Sequence, residues 1–303
     1  MIVATANVPG ELVCPLSFVL EITLEGFAQL IVETNAASVQ LNTVRLRTVA
    51  LPVEHGGWGL LFEPIVLGLV IAPSWAGLFL SIAATGAFLT RHPLRLVVAD
   101  LRRGRRFART AKAEQFVLLY GTVAALSFIM ALETAVSFAF ILPVLLAVPF
   151  ALIQIGYDAV ARGRSLIPEL AGSVALAATA SAIALAAGWP RPAALALWVL
   201  LAARVVPAII YVRARIAVLH RQRPARLMTV LLHVVALAAV SVLVWNALLP
   251  RLAAFALLML FARAVFGMVG WDRAASAKAI GFREIGFGLV MVALVAAGHY
   301  FSF

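Results

Sequence analysis

The chain has 303 residues, 64% of them hydrophobic and 12% charged, with a formal charge of +11 and a mean hydropathy of +1.06. A soluble domain averages roughly 45–50% apolar and roughly 25% charged residues, so this excess excludes one aqueous core and predicts an all-α, polytopic transmembrane helical bundle. The basic residues fall between apolar runs, where topology requires them, which excludes nucleic acid as the expected partner; the lone Cys14 excludes an internal disulfide framework.

In chain order, residues 1–44 contain no Lys or Arg but carry Glu11, Glu21, Glu25 and Glu33. They lack the basic start of a signal peptide, and the run Cys14–Leu24 is too short to span a bilayer. Residues 1–44 therefore read as an extension, either a peripheral amphipathic segment or a stretch upstream of the natural start. Residues 45–303 form the transmembrane domain. Its apolar runs predict about nine spans, most near the roughly 20 residues a bilayer requires, the first being short unless it begins near Val53. They are Trp58–Ile71, Trp75–Val98, Ala113–Ala131, Ala135–Tyr157, Leu170–Gly188, Ala193–Val212, Leu227–Leu249, Leu252–Gly270 and Glu284–Tyr300. Ala72-Pro73-Ser74, Trp189-Pro190-Arg191-Pro192 and Pro250 mark breaks between them.

Charge sets the expected orientation. Eight Lys/Arg residues lie between Arg91 and Lys112, and further basic residues follow at Arg162 and Arg164, from Arg213 to Arg226, and from Arg273 to Arg283. The loops on the other side carry only Arg191, Arg251 and Glu133. Cytoplasmic loops hold the Lys/Arg excess, which puts the N-terminus inside and the C-terminus outside a bacterial cytoplasmic membrane.

Ionisable groups within spans are costly and often functional. Glu54, His55 and Glu63 stand in a glycine-rich stretch, Val53-Glu-His-Gly-Gly-Trp-Gly. Glu63 needs a partner: either an arginine on another helix or a ligand, proton or metal. Arg204, Tyr211 and Arg215 share one helix face by their i, i+7, i+11 spacing. Arg204 sits about two turns deep, so it either pairs with a glutamate or meets an anionic head group. Arg263 and Glu284 lie beside small residues on neighbouring spans and are expected to pair with each other. His233 and His299 receive no role. No Cys/His metal-ligand spacing, nucleotide loop or hydrolase motif stands in a suitable context.

Two loops carry a resemblance. Tyr157-Asp158, Arg162-Gly-Arg164, Pro168 and Gly172 resemble a cytoplasm-facing junction of the UbiA-type membrane prenyltransferases, and Asp100 with Arg109-Thr110 is similar to the end of that family's first aspartate-rich motif. The pattern over roughly residues 50–290, including Glu54-His55-Gly56 and Arg204-Val-Val-Pro207, more closely resembles the YwiC-like family of bacterial membrane proteins. The resemblance implies a UbiA-like bundle with a cavity open toward the cytoplasm. In the prenyltransferases, paired aspartates hold Mg²⁺ against an isoprenoid diphosphate. This chain departs from that pattern, since no acid lies between Glu169 and Asp272 and the loop after the sixth span reads Tyr211-Val-Arg213-Ala-Arg215. Only Asp100 and Asp158 remain as candidate Mg²⁺ ligands, aided by Glu54 or Glu63.

Arginines in place of carboxylate-bound Mg²⁺ would contact an anionic head group directly. The first reading is thus a divergent prenyltransferase binding an isoprenoid-like or porphyrin-like amphiphile. It uses Asp100, Tyr157, Asp158 and Tyr211 for chemistry. It uses Glu54, His55, Glu63, Arg102, Arg109, Arg162, Arg204, Arg213 and Arg215 for binding. The alternative is a non-catalytic binder or transporter of such an amphiphile, built on an intramembrane Glu/Arg network. The bland account of the loop arginines is that they fix topology and touch membrane lipid.

Overall fold

Every expected apolar run folds as a helix. The computed structural model describes residues 46–51, 55–269 and 276–301. The expected extension 1–44, Glu54 and the side chain of His55 lie outside the described residues. A short helix α1 (Leu46–Ala50) precedes α2 (His55–Ile71), α3 (Trp75–Arg102) and α4 (Ala108–Thr134). A 3-10 turn (Phe138–Phe140) leads into α5 (Ile141–Ala159), followed by α6 (Leu166–Ala186) and α7 (Arg191–Leu219). The series ends with α8 (Arg226–Trp245), α9 (Arg251–Val269) and α10 (Ala277–Phe301). No strand occurs among the described residues.

Seven of these are long and apolar enough to cross a membrane: α4, α5 with its 3-10 turn, and α6 to α10. The chain is therefore a multi-pass membrane protein. Of the nine expected spans, α2 is apolar but shorter, and α3 carries Arg91, Arg95, Asp100 and Arg102 in its C-terminal half.

Helix ends follow local chemistry. The Ser74 hydroxyl caps α3 by accepting from the Gly77 amide at 3.0 Å, which satisfies one of the orphan donors of the first turn. The tight turn from α3 to α4 uses Gly104 at φ 64°, a left-handed conformation that glycine adopts without steric cost. Several helices outrun the apolar stretch that announced them: α3 continues to Arg102 and α7 to Leu219.

Burial separates a centre from a periphery. Helices α6 and α7 are mostly buried, while α4 and α5 expose most of their apolar surface. Helix α6 achieves this with small residues, including Ala177, Ala178, Ala180, Ser181, Ala182 and Ala184, which let neighbouring backbones approach closely. It packs on α5, α7 and α2. The other neighbours close a ring, with α7 against α8, α8 against α9, α9 against α10 and α10 against α2. The charged residues of the interior meet inside that ring.

Candidate functional site

Two groups of sequence-predicted residues occupy different places. The first lies at the end of the bundle that carries the basic loops. Asp100, fully buried near the end of α3, accepts from Arg109 Nη2 at 2.6 Å and Nε at 3.2 Å. It also accepts from the Thr110 hydroxyl at 2.8 Å. The Arg109 guanidinium holds the Asp100 carboxyl below the usual carboxylate range, and Asp100 in turn raises Arg109. Thr110 accepts from the Phe107 amide at 3.0 Å as well. The Asp–Arg–Thr spacing thus works as a clamp, fastening the first turn of α4 over the end of α3.

Asp158 is built the same way. It accepts from Arg91 Nε at 2.5 Å and Nη2 at 3.2 Å, and Gly163 leaves room for its carboxylate, which a Cβ there would strike. The Gln154 amide, turned so that its oxygen faces Arg91, accepts from Nη1 at 3.1 Å. Arg102 donates to the Ala159 carbonyl at 2.8 Å. Arg213 donates to Glu169 at 2.8 Å and to the Arg164 carbonyl at 2.7 Å. Arg215 is buried and donates to the Gly267 carbonyl at 2.6 Å. Arg162 is exposed, and its amide donates to the Tyr157 carbonyl at 2.9 Å, Tyr157 itself being half-buried. Four of the expected anion-binding arginines (102, 109, 213 and 215) thus have acceptors within the protein. Among the described residues, no group of three or more His, Cys, Asp or Glu could hold a metal ion. The expected pair of Mg²⁺ ligands does not fit: Asp100 and Asp158 each have both oxygens committed to protein donors.

The second group lies inside the ring of α2, α7, α8, α9 and α10. Glu63 and Arg204, 6% and 3% exposed, meet with Nε 2.9 Å from Oε2 and with Nη2 donating to Oε1 at 3.0 Å. Arg204 Nη2 also donates to the Glu284 carbonyl at 2.9 Å, and Nη1 lies 3.7 Å from Glu284 Oε2. Glu284 pairs through Oε1 with Arg263 Nη1, as expected. Arg263 reaches further, its Nη2 lying 3.3 Å from His233 Nε2 and its guanidinium 4.2 Å from the centre of the Tyr211 ring.

His233, assigned no role from the sequence, lies beside this cluster. It is 3% exposed, with Nδ1 2.7 Å from the Thr229 carbonyl oxygen. Only an N–H satisfies that acceptor, so the proton sits on Nδ1 and Nε2 presents its lone pair to Arg263. The signal was an ionisable residue inside an apolar span. Tyr211, expected to act beside Asp100 and Asp158, belongs to this second group. Gly267 makes its seat, since a Cβ there would overlap the ring hydroxyl. Gly288 is needed for the same reason beside Glu63.

The cluster holds two carboxylates, two guanidiniums and a neutral imidazole, so its charge is balanced. Its hydrogen bonding is incomplete: Glu63 Oε2, Arg204 Nε, Arg263 Nε and Glu284 Oε2 are buried without a hydrogen-bond partner, the first two being in ionic contact only. Pro64 follows Glu63, and Pro207 stands three residues after Arg204, removing one helical donor next to each charge. Both helices nevertheless remain continuous.

A cavity of about 730 Å³ opens at the end of the bundle away from the basic loops. Its rim is made by the α6–α7 and α8–α9 connections and the end of α10, through Trp189, Trp245, Pro250, Arg251 and His299. His299 stacks on Trp189 with ring centres 4.9 Å apart.

The fold and the sites define a multi-pass, all-helical membrane protein with a charge cluster buried among its helices. Residues 51–184 match the family model described as YwiC-like protein. That stretch carries Glu63, Asp100, Arg109 and Asp158 but ends before Arg204, Arg263 and Glu284. No curated protein and no solved structure matches the chain, so the likeness to UbiA-type prenyltransferases rests on the two loops alone.

Proposed function

We propose that the protein is a YwiC-like carrier or non-catalytic binder of an anionic amphiphile in the bacterial cytoplasmic membrane. Its basic loops and N-terminus face the cytoplasm, and α2 and α3 cross the bilayer with the other seven. The observation that carries this reading is the balanced cluster of Glu63, Arg204, Glu284 and Arg263, assembled from four helices with His233 beside it.

Its chemistry suits an exchange of partners. Each guanidinium is held by a carboxylate, and an incoming carboxylate or phosphate head group can take over the same donors. A proton on the displaced Glu63 or Glu284 then keeps the sum of charges unchanged. Burying four charges where apolar side chains would pack equally well is seldom the stable choice, and ionisable groups at this depth mark ligand or proton routes by default.

Prenyl transfer on a UbiA-like bundle has less support. It asks for carboxylates free to hold Mg²⁺ against a diphosphate, whereas Asp100 and Asp158 bind arginine, and Tyr211 lies in the other cluster.

The test is mass spectrometry of the protein purified in native lipid discs. An acidic amphiphile distinct from bulk phospholipid should remain bound to the wild type and be lost from Arg263→Gln, which removes a donor, with the melting temperature of both recorded. Bulk phospholipid alone in the wild type refutes the reading, and so does full retention of the amphiphile in the variant.

A further inference from the structure

Helix register connects the cavity to the charge cluster. On α2, steps of four residues lead from Glu63 to Leu67 to Ile71; on α7, steps of four and three lead from Arg204 to Leu200 to Leu197. On α10, Gly288 lies at the level of the Glu63–Arg204 pair, which a Cβ there would touch, and Met291 and Val295 follow three and four residues on. All three helices thus present the same order. A charged level comes first, then Leu67, Leu200 and Met291, each 0% exposed, and then Ile71, Leu197 and Val295 in the cavity wall. At a rise of about 1.5 Å per residue, the cavity floor stands about 10–12 Å from the charges, with one apolar layer between.

The rim has a definite chemistry. The lining includes Arg251 and His299 and no carboxylate. Among the described residues, Arg251 makes no hydrogen bond or ion pair, whereas Arg91, Arg102, Arg109 and Arg213 at the opposite end are all engaged. Trp189 and Trp245 supply flat apolar surface beside it.

We infer that this cavity is the outward mouth of the route to the buried cluster. It is a binding site that takes a carboxylate or phosphate head group on Arg251 and the apolar body of the same molecule against Trp189 and Trp245. Leu67, Leu200 and Met291 form the closed gate between mouth and cluster. The inference rests on the carrier reading for its direction, but the mouth can be tested without the cluster. One head group and one tail satisfy the rim, and the apolar layer prevents water from joining the two compartments while the cluster is in its resting pairing.

Accessibility and binding test the two halves. In a Cys14→Ser background, Leu197→Cys should react with a membrane-impermeant maleimide from the face opposite the one that labels Arg103→Cys. Leu200→Cys should stay unlabelled until Met291→Ala thins the gate. In detergent-free discs, 9,10-dibromostearate should quench tryptophan emission saturably and its methyl ester should not. Arg251→Gln should weaken the acid's binding at least about tenfold, as expected for one charge-assisted hydrogen bond, and Trp189→Phe should remove part of the quenching. Labelling of Leu197→Cys from the same face as Arg103→Cys, or none at all while Ala247→Cys on the rim reacts, overturns the mouth. Labelling of Leu200→Cys without the Met291 change overturns the gate. Equal quenching by acid and ester, or no effect of Arg251→Gln, overturns the anion site. None of these readouts depends on Glu63, Arg204, Arg263 or Glu284, so their failure leaves the carrier reading standing. Retention of ligand in Arg263→Gln sinks that reading and leaves the mouth.

Discussion

Gly288 gives the sharpest measure of how tightly the buried pair is held. A methyl at this position would overlap Glu63 Oε1 and approach Arg204 Nη2 to 3.0 Å, so Gly288→Ala must push the carboxylate off its partner. Two residues earlier on the same helix, a Cβ at Gly286 meets nothing within 4 Å, which makes Gly286→Ala the matched control. In a helix interior, replacing glycine by alanine gains about 0.5–1 kcal/mol. Leaving a buried charge uncompensated costs about 3–5 kcal/mol, so displacing the carboxylate from Arg204 should make Gly288→Ala lose about 2–4 kcal/mol net. Unfolding in mixed detergent, followed by the emission of the six tryptophans, reads both variants. Glu63→Ala removes the obstructing carboxylate, and on that background Gly288→Ala should cost under about 1 kcal/mol, the difference measuring the coupling. If Gly288→Ala is as stable as Gly286→Ala, the pair is not confined as described and the argument fails.

Three further outcomes follow from the same geometry. Because Arg109 holds the Asp100 carboxyl below its usual range, the folded state takes up that proton less readily than the unfolded state. The clamp's stability is thus fully present above about pH 4, the ordinary carboxylate value, and is lost as pH falls through the lower folded value; unfolding curves should show this acid limb, and Asp100→Asn should flatten it. Arg213 and Glu169 are both about two-fifths exposed, so Arg213→Ala should change stability by no more than about 1 kcal/mol, and a loss several times larger would show that the pair is more than a surface bridge. Replacing the buried pair together, as Glu63→Leu with Arg204→Met, should be close to neutral or stabilising by about 1–4 kcal/mol while the bound amphiphile is lost; retention of the ligand would remove Arg204 from its site.

What could be read beforehand was whatever depends on composition along the chain. The nine helices were located because each carries a long apolar run, and the pairing of Arg263 with Glu284 was expected because their helices are consecutive. Ends were less legible. Hydropathy stops at Val98 and Val212, but the backbone goes on hydrogen bonding through Arg102 and Leu219, since helix formation in basic, water-facing turns does not need apolar side chains. Non-glycine residues in left-handed conformations at Ala161, Arg221 and Ala247 end three helices with no glycine to announce them. Partners distant in sequence were legible in type but not in position: an arginine was one expected partner of Glu63 and a glutamate one of Arg204, and the two meet. Nothing along the chain links Glu63 to Arg204, 141 positions away, or puts His233 against Arg263. An arginine in sequence is only a cation, and whether it meets solvent, lipid or an acceptor of its own chain is decided by packing. The loop arginines illustrate this, for Arg102 meets the Ala159 carbonyl and Arg213 meets Glu169.

The economy of acids sharpens the distinction between the two ends. Among the described residues there are seven carboxylates, and Glu63, Asp100, Glu114, Asp158, Glu169 and Glu284 all pair with arginine, leaving only Glu133. Four of these pairs lie at the basic end, where they fasten one helix to the next or hold a loop; the two exposed ones, Arg106–Glu114 and Arg213–Glu169, add little beyond geometry. The other two acids, Glu63 and Glu284, are enclosed among the helices, at positions where leucine would pack without any desolvation cost. A cluster balanced in sign is silent at rest, since each charge neutralises its neighbour. If the cluster takes an anion as proposed, that anion must displace a carboxylate or arrive with a proton, and charge compensation then falls on the same four side chains.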